Sequence, residues 1–195
     1  MSRVAILTPD PAETAYPELW PKVLARLQRA LDGAGISAAP TPWTAHMDDA
    51  SGLREVACVL PLLAWGYHHD AARWQRACAT WQREGVRLAN PANVLAWNTD
   101  KRYLRELADR GVAIPPTTFT DALSQDVVER AFADTGADQL IVKPAVSGGA
   151  WKTQRLRRGD AVDAANGMTM LLQPYLPAIE TQGETSLLYF GGRLS

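Results

Sequence analysis

The sequence has only two cysteines, almost no net charge and no apolar run long enough to span a membrane. Twenty basic residues against 21 acidic residues give a formal charge of −1, so nothing electrostatic favours nucleic acid or an anionic membrane as a partner. Cys58 and Cys78 form neither a C-x-x-C pair nor a zinc motif. Because the N-terminus also lacks the pattern of a signal sequence, we expect a cytoplasmic protein with free thiols.

What the sequence does contain is apolar residues, 47% of the total, which is enough to bury a core. Short apolar runs alternate with amphipathic helical patterns along the first half of the chain: runs at 4–7, 37–43, 57–65 and 86–89, helices near 20–31 and 70–81. This alternation predicts a doubly wound parallel sheet, whose ligand crevice lies beyond the carboxyl ends of the strands. The pattern G-x-G-x-x-A at 33–38 ends a helix instead of opening one, so it does not indicate a nicotinamide dinucleotide site.

Several candidate binding residues fall after the predicted strands of this sheet. They are Asp10, Trp65, Gly66, Tyr67 and His68, together with the adjacent His69, and we expect them to help form the wall of an acceptor-substrate site. The alternative is that the aromatic group only packs in the core. Adjacent histidines such as His68 and His69 diverge too much to chelate one metal ion easily.

The stretch at 139–153, QLIVKPAVSGGAWKT, is the strongest local signal. The apolar run at 140–142 predicts a buried strand that ends at Lys143 and is followed by the small-residue loop Ser147-Gly148-Gly149. A mobile cation and a loop that exposes backbone N–H groups are suited to binding phosphate. A Walker P-loop is excluded because the lysine precedes the glycines, and Ser147 is rejected as a nucleophile because all three histidines lie upstream. A simple strand followed by a glycine turn remains the alternative.

The second half of the chain carries further predicted elements. A helix capped by residues 98–100 places Lys101 in its first turn, where a cation opposes the helix dipole unless an anion binds there. The other predictions are an extended segment at 115–117, a helix at 121–134, a hairpin strand at 153–156, an Ala-rich helix near Asp160, a strand at 168–173 and a strand with a turn at 184–194.

Four segments together resemble the ATP-grasp superfamily, in its glutathione-synthetase-like, RimK-like and D-alanine–D-alanine-ligase-like branches. The segments are Asp100–Thr117, Ile141–Gly149, Leu172–Leu176 and Gly183-Glu184. The segment Trp65-Gly66-Tyr67, together with the hinge and the Gly-Glu-Thr-Ser run, resembles the cycloserine-biosynthesis group most. Ser186 stands where the RimK-like pattern has arginine, which argues against the peptide-tailing branch.

The resemblance implies a role for each matched position. Lys101 and Lys143 would bind the phosphates and Ser147, Gly148 and Gly149 would form the lid; Gln173, Pro174, Tyr175 and Leu176 would form the adenine hinge; and Glu184 would bind the ribose hydroxyls. It also implies two domains, a Rossmann-like pre-ATP-grasp domain at 1–97 and an incomplete ATP-grasp α+β domain at 98–195. No catalytic side chain is assigned.

The implied activity is ATP-dependent carboxylate–amine ligation through an acyl phosphate, with ATP and Mg²⁺ as cofactors, small-molecule carboxylates and amines as partners, and a homodimer as a compatible assembly. The resemblance places the metal ligands beyond Ser195, so the chain is expected to be a fragment or a natural truncation. We favour the fragment, because a chain ending inside a sheet leaves an unpaired edge. A non-catalytic nucleotide-binding module is the alternative function.

Overall fold

The computed structural model describes residues 2–13 and 17–195, which form two compact units. The parallel-sheet unit comprises Met1–Ile114 and Pro144–Lys152, and the antiparallel-sheet unit comprises Pro115–Lys143 and Thr153–Ser195. The loop that follows the predicted phosphate lysine, Pro144–Lys152, therefore belongs to the first unit, although it connects two strands of the second sheet.

The parallel-sheet unit is built on three strands in the order β2-β1-β3: β1 Ser2–Thr8, β2 Ile36–Pro42 and β3 Cys58–Leu60. Both pairings are parallel, with Val4 opposite Ala38 on one side and Cys58 on the other. Its helices are α1 Leu19–Gly33, α2 Ser51–Arg54, α3 Ala71–Arg83, α4 Ala92–Thr99 and α5 Tyr103–Asp109, and 3₁₀ turns span Trp43–His46 and Tyr67–His69.

Both faces of this sheet are covered, as the alternation along β1 requires. Ala5 and Leu7 belong to a core with Trp43, Trp74 and Trp81. The intervening Ile6 packs on the other side with Leu24 of α1 and with Leu63. The sheet therefore lies between two apolar layers, which is the arrangement expected of a doubly wound α/β fold.

The antiparallel-sheet unit has four strands in the order β4-β7-β5-β6: β4 Thr118–Thr120, β5 Gln139–Pro144, β6 Gln154–Arg157 and β7 Met170–Pro174. Helix α6, Gln125–Thr135, begins at Ser124, whose side chain accepts a hydrogen bond from Val127 N, and it ends at Gly136 with φ +62°. A short helix α7, Ala178–Gln182, follows β7, and β8 Tyr189–Phe190 forms a separate hairpin with β9 Arg193–Leu194.

Several predicted elements are corrected by the structure. The strand at 57–65 is limited to Cys58–Leu60 because Pro61 cannot continue the ladder, and the strand at 86–89 is an isolated bridge between Val59 and Leu88. Residues near Asp160 form no helix, and α7 was not predicted. None of the described helices is long and apolar enough to cross a membrane.

The predicted start of the next helix at 98–100 is also wrong. This helix is α5, which begins at Tyr103, because residues 98 and 99 end α4 and Asp100 lies between the two helices. Thr99 is buried at the end of α4, where its hydroxyl donates to Leu95 O (2.7 Å) and accepts from Trp74 Nε1 (2.8 Å). Asp100 accepts from Arg102 N (2.9 Å) in the turn before α5. Lys101 therefore lies between two helices and not in the first turn of one, so the argument from the helix dipole does not apply.

Candidate functional site

Lys101 holds the Pro144–Lys152 loop in place. Its ammonium donates to Ser147 Oγ (3.0 Å), Ser147 O (3.1 Å) and Ala145 O (3.3 Å), and its main-chain N–H also donates to Ala145 O (3.0 Å). Inside the loop, Trp151 N donates to Gly148 O (3.0 Å), which forms a turn with Gly149 at φ +57°. The structure thus brings two of the predicted site residues, Lys101 and Ser147, into direct contact.

A cavity of about 540 Å³ lies beside this loop, within the parallel-sheet unit. Its lining is mostly aromatic: Leu19, Trp65, Gly66, Tyr67, His68, His69, Gly148, Gly149 and Trp151. The predicted group Trp65–His68 and the predicted lid glycines therefore share one cavity. Leu19 and Trp151 are lining residues that the sequence did not predict, although a tryptophan just after a glycine pair could have drawn attention to Trp151.

Gly148 approaches His68 so closely that a side chain would not fit there. A Cβ on Gly148 would lie 3.0 Å from His68 Nδ1, and the His68 ring lies 5.4 Å from the Trp151 ring, centroid to centroid. Burial, followed by the nearby His69, holds the pKa of His68 below its usual value. Glu13 opposes this shift, and Lys101 adds a smaller decrease. His68 is therefore an uncharged hydrogen-bonding group in this wall at neutral pH.

A second histidine of the wall is paired with a carboxylate. His69 Nδ1 lies 2.7 Å from Glu13 Oε2, and the Glu13 side chain is largely buried. Gly66, with φ +83°, lies against the same carboxylate, and a Cβ at this position would overlap Glu13. A left-handed backbone and this close contact both require glycine at position 66, so the glycine of the predicted Trp-Gly-Tyr segment has a physical basis.

Asp10 is not found among the described residues that line the cavity. Its carboxylate accepts from Ala12 N (2.8 Å) and from the Arg73 guanidinium (3.2 Å). The backbone hydrogen bond from Ala12, assisted by Arg73, keeps the pKa of Asp10 below its usual value despite partial burial. Asp10 therefore anchors the turn after β1 to α3, and its contact with a substrate stays a prediction.

The antiparallel sheet presents one face to α6 and a second, more polar face on its other side. Leu140, Val142, Leu156, Met170 and Leu172 pack with α6 in one core. Because side chains alternate along a strand, the residues between them lie on the opposite face: Ile141, Lys143, Arg155, Leu171 and Gln173. The predicted phosphate lysine and the first residue of the predicted hinge thus share one face of the sheet.

Lys143 has no partner on this face. It is partly buried, and within residues 2–13 and 17–195 its ammonium has neither a hydrogen-bond acceptor nor a carboxylate partner. Burial alone lowers the pKa of Lys143 from its usual value. A desolvated cation without a counter-charge is a site that an anion would stabilise.

Comparisons with known proteins agree with this geometry. Residues 4–90 match the family described as the N-terminal domain of D-cycloserine synthetase DcsG. The cycloserine biosynthesis protein DcsG of Streptomyces lavendulae is 32% identical over 178 residues, which cover 85% of this chain and 58% of that protein. The crystal structure of D-cycloserine synthetase DcsG superposes with a TM-score of 0.77 at 28% identity, covering all of this chain and 66% of that one.

The chain has the ATP-grasp fold. D-alanine–D-alanine ligase from Bacillus anthracis shares this ATP-grasp fold, with a TM-score of 0.62 at 13% identity over 90% of this chain and 58% of that one. The predicted α/β fold class and the resemblance to the superfamily are both confirmed. The chain spans about three fifths of the length of the curated relative that it matches.

The residues of this ATP-grasp chain fit a nucleotide where the structure can test them. The hinge at 173–176 continues β7: Gln173 is buried and donates to Thr117 Oγ1 (2.9 Å), and Tyr175 N donates to Gln139 O (2.9 Å). Leu176 is 54% exposed, and Glu184 is also exposed. An unpartnered lysine beside a fixed, partly apolar hinge is compatible with a triphosphate and a base, whereas the ribose role of Glu184 stays a prediction.

The described part of the chain contains no group of three or more His, Cys, Asp or Glu side chains arranged to hold a metal ion. The Glu13–His69 pair and the adjacent His68 are the nearest approach to such a group in the cavity wall.

Proposed function

We propose that this chain binds ATP and contributes the nucleotide-binding face and the substrate pocket of a carboxylate–amine ligase. The observation that carries the proposal is Lys143, a partly buried cation that has no partner among the described residues, on the same sheet face as Gln173. The ATP-grasp fold supports the nucleotide as its ligand, and the relatives named as synthetases or ligases support the reaction class.

In this proposal each group of residues has a separate task. Lys143 neutralises phosphate charge, the backbone of residues 147–149 approaches the phosphates, and the hinge at 173–176 offers main-chain donors and acceptors to the base. ATP, with Mg²⁺, supplies the phosphoryl group that converts the substrate carboxylate into an acyl phosphate, which an amine then captures. Because phosphoryl transfer depends mainly on positioning and charge stabilisation, no protein nucleophile is required.

We further propose that the aromatic cavity binds a small amino-acid-like substrate. Its volume of about 540 Å³ lies within the range of small-molecule sites, and His68 offers it an uncharged hydrogen-bonding group. The relatives named for D-cycloserine and for D-alanine make D-amino acids and their derivatives the first candidates.

Calorimetric titration of Mg-ATP into the chain tests the nucleotide site. We expect Lys143→Ala to weaken binding by about 10–100-fold, since a charge-assisted contact is worth about 1.5–3 kcal/mol. Lys22→Ala is the matched control, because Lys22 is an exposed lysine on α1 whose ion pair with Glu18 is weak at 3.9 Å. Affinity that is unchanged in Lys143→Ala would contradict the proposal.

Formation of ADP in the presence of small D- and L-amino acids and their derivatives tests the ligase activity. We expect D-amino acids to stimulate ADP formation and His68→Ala to reduce that stimulation more than it reduces ATP binding. ATP binding without ADP formation under any of these conditions would instead favour the non-catalytic nucleotide-binding module.

A further inference from the structure

Four side chains form a closed polar cluster at the end of the antiparallel sheet next to the hinge. The Arg155 guanidinium lies 3.6 Å from the centroid of the Tyr175 ring. Its Nε donates to Gln139 Oε1 (2.6 Å), and its Nη1 donates to Glu180 Oε1 (2.8 Å). The Tyr175 hydroxyl donates to the same Glu180 oxygen (2.6 Å), which closes the cluster.

The cluster joins four elements near the hinge. Gln139 is the first residue of β5, Arg155 lies on β6, Tyr175 directly follows β7, and Glu180 lies on α7. The backbone repeats this connection, because Tyr175 N donates to Gln139 O (2.9 Å). The ring and the main chain of Tyr175 are therefore both fixed, one by Arg155 and Glu180 and the other by β5.

This cluster contributes little to the stability of the fold. Its ion pair is exposed, with 43% and 57% of the Arg155 and Glu180 side chains accessible, and exposed pairs of this kind stabilise proteins weakly. The hydrogen bond to Glu180 raises the pKa of the Tyr175 hydroxyl, and the bonds from Tyr175 and then Arg155 lower the pKa of Glu180. At neutral pH the Tyr175 hydroxyl is therefore a donor and the Glu180 carboxylate an acceptor, as the hydrogen bonds of the cluster require.

We propose that Arg155 is a positioning residue for the nucleotide base, because it holds Tyr175 and the hinge at 173–176 in the conformation that receives a planar purine. This inference rests on the proposed ATP site. A hinge that is fixed before binding loses less conformational freedom when the base arrives, so the gain appears as affinity for the base. Only arginine can stack its planar guanidinium on the ring while donating in two directions within that plane.

The test compares three probes, Mg-ATP, adenosine and tripolyphosphate, by calorimetry with Arg155→Ala, Arg155→Lys and the wild type. We expect Arg155→Ala to weaken Mg-ATP and adenosine by a similar factor of about ten and to leave tripolyphosphate within about twofold. Arg155→Lys is expected to behave like Arg155→Ala. The matched control is Arg157→Ala, because Arg157 lies on the same strand and the same face, and its side chain forms no hydrogen bond or ion pair with the hinge residues 173–176 among the described residues.

Hydrogen exchange provides a readout that does not depend on nucleotide. The Tyr175 amide is expected to exchange about tenfold faster in Arg155→Ala while the melting temperature stays near that of the wild type. Equal loss of affinity for tripolyphosphate and adenosine, or full rescue by Arg155→Lys, would overturn the positioning role. A folded wild type that binds none of the probes would overturn the ATP site itself, and an unchanged Tyr175 amide would overturn the inference independently.

Discussion

The two units contain the two predicted phosphate lysines in contrasting surroundings. In the parallel-sheet unit, the Lys101 ammonium donates to Ala145 O and to both oxygens of Ser147. In the antiparallel-sheet unit, Lys143 is partly buried with no acceptor among the described residues, and burial lowers its pKa. The Lys101 ammonium stabilises a loop, whereas the Lys143 ammonium has no acceptor or counter-charge among the described residues.

The apolar cores of the two units differ in a related way. The parallel-sheet unit packs Trp43, Trp74 and Trp81 in successive edge-to-face contacts with centroid separations of 5.4 and 5.5 Å. The antiparallel-sheet unit buries mainly aliphatic side chains against α6. Its polar residues Lys143 and Gln173 lie on the opposite face of the sheet. The aromatic core thus supports the pocket wall through the contact of Trp74 with Tyr67, whereas the second unit places Lys143 and Gln173 on the sheet face opposite α6.

The largest expected effect is on the aromatic core. Trp81 is fully buried, and its indole donates to His46 O (2.9 Å), so Trp81→Ala leaves a cavity and an unpaired carbonyl. We expect a loss of about 3–5 kcal/mol in the free energy of unfolding, measured by urea denaturation. Trp97→Ala is the control, because Trp97 is 39% exposed, and it should cost about 1 kcal/mol or less. Similar losses in both variants would contradict the contrast between the cores.

The sequence was sufficient for the elements whose signals are local. The apolar run of β5 and the helical period of α1 and α3 predicted these elements, and Asp70 caps α3 by accepting from Arg73 N. The α4–α5 boundary was not predictable in this way, because Thr99 is held by Trp74, 25 residues away in sequence. Long-range contacts of this kind override local capping preference.

The candidate site shows the same limit. Residues Trp65–His68 were predicted from their position after a strand, but only the fold shows that the glycine loop and Trp151 share their cavity. Glu13 and Arg155 carried no sequence signal for a site, since each acts through a partner distant in sequence, His69 and Tyr175 respectively. The sequence also did not distinguish the surroundings of Lys101 from those of Lys143. Lys101 was predicted in the first turn of a helix and Lys143 before a glycine loop, and both were predicted to bind phosphate.

Removing the Lys101 ammonium should have the next largest effect, and it should be local. Lys101→Met removes the ammonium donor to Ser147 and Ala145, although Ala145 O keeps its bond from the Lys101 main-chain N–H. A partly buried carbonyl that loses a charged donor costs about 1–3 kcal/mol. We expect the amide of Trp151 to exchange about 10–100-fold faster while strand β1 keeps its protection.

Lys152→Met is the control for this prediction, because Lys152 lies in the same loop but contacts only the exposed face of Trp151, at 4.7 Å from its centroid. Equal acceleration in Lys101→Met and Lys152→Met would show that the loop does not depend on Lys101.

Replacing Lys143 should change the free energy of unfolding by a smaller amount, and it should raise this free energy instead of lowering it. Because burial lowers the pKa of Lys143 in the folded chain, the charged form destabilises the fold below that pKa, and the penalty disappears as pH rises towards 10.5, the unfolded value. We expect Lys143→Met to raise the free energy of unfolding at pH 7 by about 0.5–1 kcal/mol while it weakens ATP binding. The difference from the wild type should narrow as pH rises towards 10.5, and a stability difference that is independent of pH would contradict the assignment.

The smallest expected effect at neutral pH concerns Cys78, whose pKa is shifted by burial, as is the pKa of Lys143. Burial raises the pKa of the Cys78 thiol to about 12 from 9.0, so the uncharged form that predominates at pH 7 carries no penalty. Its contribution to stability is lost only as pH rises from about 9 towards 12, because the unfolded chain then ionises first. At pH 8 the thiolate fraction of native Cys78 is about a thousandfold below that of the unfolded chain, so iodoacetamide should alkylate Cys78 only after urea is added. The half-buried Cys58 should react first in the native chain, and rapid native labelling of Cys78 would show that the Trp74–Trp81 core opens more readily than its packing indicates.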